Sequence, residues 1–142
     1  MAQKSRDTAI TSYNRAKELI YIKRTPPQDL ELLEAASTSR KNWRLAGGEK
    51  EFAISDWLMS RVYVQFQQPV PAIDFALASL SHNQNGFPAW LKASLFEGAA
   101  RAYKCAGEIN AFENYKALSL AELINELDAE DFQIISQQID EL

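Results

Sequence analysis

The chain holds few of the residues that carry most specialised chemistry. Its 142 residues include one cysteine and one histidine. With Cys105 alone no internal disulfide forms, and with His82 alone no histidine-rich metal site is built, so neither a disulfide framework nor a structural zinc is expected. Glycine and proline number five each, too few for a loop-dominated or low-complexity chain. No stretch approaches the ~18 uninterrupted apolar residues of a membrane span. The polar start MAQKSRDTAITSYN lacks the apolar core of a secretion signal. The expectation is a cytoplasmic protein in a reducing compartment, with no membrane contact. What is present is ordinary: 46% hydrophobic and 24% charged residues, the make-up of a globular domain large enough for its own core.

The formal charge of −4 is unevenly spread. Residues 1–50 carry ten basic side chains against six acidic ones, residues 51–107 carry four of each, and residues 108–142 set Lys116 against nine acids. An acidic total without a basic stripe argues against nucleic acid as the partner. The acidic end is either solvated surface or the complement of the basic start, in which case copies would dock head to tail.

Helical periodicity runs through the whole chain, and no strand-period segment competes with it. A first helix is expected from about Ser5 to Arg24, with Ile10, Tyr13, Lys17, Ile20 and Arg24 along one line. Thr25-Pro26-Pro27-Gln28 ends it and starts the next: Thr25 as N-cap, Pro26 at the first helical position, Gln28 closing a capping box. The second helix is expected over Pro26–Ala46, ended by Gly47-Gly48 in the left-handed conformation that glycine tolerates. A third follows over about 49–67, and a short fourth after Pro69 and Pro71. The polar run Ser81-His82-Asn83-Gln84-Asn85-Gly86 reads as a loop with His82 in solvent. A fifth helix over about 88–106 stops at Gly107. A sixth over about 110–127 carries Leu123 and Leu127 on its apolar line. Asp128, with Asp131 three residues on, opens a seventh whose stripe is Phe132, Ile135, Ile139 and Leu142. The fold class is all-α, with about seven helices and residues 1–142 as one domain. The last stripe either caps the helices before it or pairs with a second copy as a homodimer.

Internal similarity appears in the middle of the chain. Arg61-Val62-Tyr63 matches Arg101-Ala102-Tyr103 forty residues later. The second copy reads Ala100, Tyr103, Gly107, Ala111 and Tyr115; the first reads Ser60, Tyr63, Ala72 and Ala76, with Gln67 in the place of the glycine. This resembles the tetratricopeptide repeat, with degenerate copies over about 49–83 and 87–127. The run SRKNWRLAGGEKEFAISDWLMSRVY, the spacing P-x-x-A-x-x-x-A, the run LFEGAARAYKCAGE and the ending DAEDFQ are similar to a family of small bacterial tetratricopeptide-like proteins of no established function. The resemblance implies antiparallel helix pairs in a right-handed stack, whose first helices line a concave face. It implies no activity.

Candidate chemistry is sparse. His82 has no nucleophile in a recognisable arrangement, and Cys105 near a helix end reads as a packing residue. Gly47-Gly48 lacks the Gly-Lys-Ser/Thr ending of a phosphate loop. No catalytic residue, cofactor or metal site is assigned, and an enzyme is not expected. What remains is a polar and aromatic line: Trp57 and Arg61 one turn apart on the third helix, Glu97 and Arg101 one turn apart on the fifth, with Arg61 within reach of Glu97 across the interface. This line is either a structural ion pair under an aromatic lid or a groove in which Arg61 and Arg101 supply forked donors and Trp57 a stacking surface. Trp43, before the Gly-Gly turn, is a further candidate, more simply read as packing on the third helix. The function expected is a non-catalytic helical module binding a protein or peptide segment on its concave face. The alternative is a small-molecule sensor or minor enzyme with a pocket between the third and fifth helices.

Overall fold

The computed structural model describes residues 2–142. Among them are seven helices and no strand: α1 (Ala2–Ile20), α2 (Pro26–Ala46), α3 (Glu49–Gln65), α4 (Pro69–Ser81), α5 (Ala89–Cys105), α6 (Ile109–Leu123) and α7 (Ala129–Asp140). The fold class read from the sequence is the one found. Among the described residues, no helix is long and apolar enough to cross a membrane.

Local chemistry sets the boundaries. Thr25 caps α2 with a full capping box: the Gln28 amide donates to Thr25 Oγ1 and the Thr25 amide to Gln28 Oε1, satisfying two otherwise orphaned donors. Asp128 caps α7 by accepting from the Asp131 amide at 2.9 Å. Three expectations fail for identifiable reasons. Helix α1 stops at Ile20 rather than Arg24, because Arg24 folds back and donates to the free carbonyls of Leu19 and Ile20. Gly47 and Gly48 have φ of −104° and −126°, so no left-handed turn is made there. Gly47 is needed for space instead, since a Cβ would lie 2.8 Å from the Glu51 Cβ and 3.0 Å from the Trp43 ring. Helix α6 ends at Leu123, and Leu127, expected on its apolar line, is 96% exposed.

The helices pair as antiparallel hairpins, α1 with α2, α3 with α4 and α5 with α6. Each hairpin is tied by a buried serine whose hydroxyl donates to an alanine carbonyl on the partner helix: Ser39 to Ala9, Ser60 to Ala72 and Ser119 to Ala93, at 2.7–2.8 Å. Small side chains on both sides of these crossings let the backbones approach closely enough for the bond. Helices α3 and α5 run parallel side by side, as Lys50 over Trp90 and Trp57 against Gly98 show. The largest core cluster sits between α1, α2, α3 and α5, around Leu19, Leu32, Leu58, Val62 and Leu95. A second, of Ala72, Ala76, Ala99 and Ala102, joins α4 to α5. Ile135 and Ile139 of α7 close a third over Ala93 and Leu123.

The turns after α3 and α5 are the same device used twice. Gln67 has φ 55° and Gly107 φ 75°. In the first turn the Gln68 amide reaches the Tyr63 carbonyl, and in the second the Glu108 amide reaches that of Tyr103, both at 3.0 Å. This is the six-to-one bond of a left-handed helix C-terminus. Tyr63 then stacks on Phe75 with ring centroids 5.8 Å apart, and Tyr103 on Tyr115 at 5.5 Å. The stacked rings place Tyr115 opposite Phe75 in the repeat, rather than opposite Ala76 as the small-residue spacing suggested.

Candidate functional site

Helix α3 is buried on every side from Ser55 to Val62, so it carries polar groups into the interior: Asp56, Ser60 and Arg61. Helix α5 does the same with Ser94 and Glu97. Buried polar groups cost stability unless they find partners, and the way each is satisfied decides what it is for.

Asp56, 1% exposed, is fully engaged. Its Oδ1 accepts from Arg40 Nε at 2.6 Å and its Oδ2 faces His82 Nε2 at 2.8 Å. The other ring nitrogen of His82 faces Glu49 at 3.3 Å, and the Phe52 ring lies 5.9 Å away. His82 is therefore not a solvated loop residue; it ties the end of α4 to α3, and both its nitrogens are committed to carboxylates. Sequence patterning missed this cluster because Asp56 sits among the apolar residues of α3 and His82 in a polar run.

The line Trp57, Arg61, Glu97, Arg101 is assembled only in part. Glu97 is wholly buried, and its Oε1 accepts from Nε and Nη2 of Arg101. Its Oε2 has no partner among the described residues. Arg61, 6% exposed, joins no ion pair with Glu97; its guanidinium lies 5.3 Å from the Trp57 ring centroid, and its Nε and Nη1 find no partner among the described residues. Stacking of this kind contributes ~0.5–2 kcal/mol. Trp43 stands apart, packed beneath the Arg6 guanidinium beside a smaller cavity of about 170 Å³ that it shares with Ile10, Tyr13 and Ile54.

The best-enclosed cavity lies next to this line, toward α1 and α7, with a volume of about 200 Å³. Its aromatic wall is Trp57 and Trp90, with Ile54, Leu91 and Ile135 beside them. Helix α1 contributes Tyr13 and Lys17, α5 contributes Ser94, and α7 contributes Asp131 and Gln138. Of the residues singled out in the sequence, only Trp57 lines it; Arg61 stands behind Trp57, while Glu97 and Arg101 lie outside the lining.

The polar groups on this wall share a property. Trp57 Nε1 and Gln138 Oε1 are buried without a partner among the described residues. Neither Lys17 nor Asp131 enters an ion pair among the described residues. Six serines are buried. Five of them (Ser39, Ser55, Ser60, Ser79 and Ser119) donate to backbone carbonyls. Ser94 is the one that does not, and it opens into the cavity. Burial raises the Tyr13 phenol above its ordinary value, opposed by the nearby Arg61 charge. Desolvation also raises the Asp131 carboxyl, helped by the like charges of Asp128, Glu126 and Glu130.

Comparison with known proteins finds no matching family model, no similar curated protein and no similar solved structure.

Proposed function

We propose that this chain is a non-catalytic binding module that takes a group of a protein or peptide partner into the cavity between α1, α3, α5 and α7. The observation that carries the reading is the polar make-up of that wall: Trp57 and Gln138 each hold a buried polar atom without a partner among the described residues, and Ser94 is the buried serine that donates to no backbone carbonyl. A buried donor or acceptor left unmade costs ~1–3 kcal/mol, and such groups on one cavity wall are what a ligand site keeps and a core does not. The repeated turn at Gln67 and Gly107 and the repeated tyrosine stacks support a tetratricopeptide-like arrangement, in which binding lies along the first helices of the pairs. His82 is not available as a general base, because its two nitrogens both face carboxylates and leave no site to take a proton from a nucleophile.

A small-molecule ligand is the second reading, favoured by the modest size of the cavity. The first reading is tested by selecting peptides from a display library against the full chain and re-measuring the selected ones on Ser94→Phe, which fills the cavity, and on Lys17→Glu, which inverts the charge on its wall. Loss of affinity by tenfold or more in a variant that melts like the parent is expected. Selected peptides that bind both variants unchanged would remove the cavity from the proposal.

A further inference from the structure

The wall of this cavity is divided by charge. Among the described residues, helices α1 and α7 do not pack on each other; they flank α3 and α5, which form the floor. The positive charge comes from α1, as the Lys17 ammonium, and the Tyr13 and Ser94 hydroxyls, which can donate or accept, line the same cavity. The negative charge comes from α7, as the Asp131 carboxylate. Between them lie the indoles of Trp57 and Trp90 and the buried Leu91.

Three kinds of occupant leave part of this wall unsatisfied. A plain anion meets Lys17 but sets a like charge against Asp131, which already stands among Asp128, Glu126 and Glu130. A plain cation meets Asp131 but opposes Lys17. An apolar group uses the indoles and strands every polar atom. One chemistry answers all three parts: an anionic oxygen pair, an ammonium and an apolar body in one small molecule. We infer, on the basis of cavity binding as proposed above and in its small-molecule form, that the cavity seats a zwitterion of amino-acid type with an apolar side chain. It is supplied either as a free amino acid or as a short peptide with both ends unblocked. The carboxylate lies toward Lys17 and Tyr13, and the ammonium toward Asp131. The side chain lies against Trp90 and Leu91. A space of about 200 Å³ holds a molecule of that size and excludes a folded segment.

The test is calorimetric titration of the full chain with leucine, phenylalanine and their dipeptides, beside N-acetyl-leucine, which lacks the ammonium, and leucinamide, which lacks the carboxylate. The zwitterions are expected to bind, and each blocked form to bind at least tenfold more weakly. Lys17→Met should remove the preference for leucine over leucinamide, and Asp131→Asn the preference for leucine over N-acetyl-leucine. These reciprocal losses separate ligand contact from general damage to the fold. A better response to dipeptides than to amino acids identifies the source as peptide, and the reverse identifies free amino acid. Equal binding of blocked and unblocked forms overturns the zwitterion, as does no binding by any of them. If display-selected peptides still lose affinity in Ser94→Phe, that failure belongs to the ligand class alone and not to the binding reading.

Discussion

Gly98 and Trp57 illustrate how a single residue sets the site. A Cβ on Gly98 would lie 2.7 Å from Trp57 Cδ1 and 3.1 Å from its Nε1, so the indole reaches its place only because α5 has no side chain there. Two effects oppose each other in Gly98→Ala. Replacing a mid-helix glycine gains ~0.5–1 kcal/mol of helix propensity. Forcing a bulky ring out of a packed position costs ~1–3 kcal/mol. Trp57 is 9% exposed and carries Arg61 on its face, so it has little freedom to yield, and the clash wins. The variant should be less stable by about 1–2 kcal/mol in urea unfolding. Its tryptophan emission should also shift as Trp57 moves, which a change in propensity alone would not cause.

At the scale of elements, the repeated turn offers a matched pair of substitutions. Gln67 adopts φ 55° where its counterpart Gly107 adopts φ 75°, and a left-handed residue with a side chain costs ~1–2 kcal/mol that glycine does not. Glycine gives back some of this through the freedom it adds to the unfolded chain. Gln67→Gly is therefore expected to raise stability by about 0.5–1 kcal/mol. Gly107→Ala should lower it by about 1 kcal/mol or more, although its Cβ would meet nothing within 4 Å. Thermal unfolding of both variants checks the pair; a loss in Gln67→Gly would mean that the Gln67 side chain holds the turn in a way its φ does not reveal. The same elements mark what was legible in the sequence. Helix existence, the Thr25 box and the Asp128 cap are local chemistry, written within four residues, and they read correctly. The exact repeat did not, because the small-residue spacing aligned Ala76 with Tyr115, whereas the stacked rings pair Phe75 with Tyr115. The cavity was also hidden: α3 and α5 are buried almost all round, so their apolar period does not distinguish a ligand-facing side from a core-facing one. Trp57 was found on α3, but Tyr13, Lys17, Ser94 and Gln138 lie on three other helices, and only the tertiary fold brings them together.

For the whole molecule, the informative element is α7, which is both the end of the core and a wall of the cavity. Its expected stripe of Phe132, Ile135, Ile139 and Leu142 is divided by the structure. Ile135 and Ile139 are 4% and 1% exposed against Ala93 and Leu123, while Phe132 is 42% exposed. Lys104 of α5 donates to the backbone oxygen of Leu142, fastening the far end. Burying two isoleucines contributes roughly 1.5–3 kcal/mol each relative to exposure, which is a large part of the ~5–15 kcal/mol that a domain has in total. Ile135 and Ile139 are used within the chain, and that part of the stripe favours capping over pairing. Removing residues 129–142 should then lower the unfolding midpoint sharply and expose Leu123 and Ala93. It should also abolish zwitterion binding along with Asp131 and Gln138. Light scattering gives the decisive contrast. If α7 caps its own chain, truncation leaves a less stable or unfolded species; if the stripe pairs copies, truncation turns a dimer into a folded monomer that melts near the parent temperature. The burial of Ile135 and Ile139 makes the first outcome the expected one, and the second would reassign α7 from the core of one chain to the contact between two.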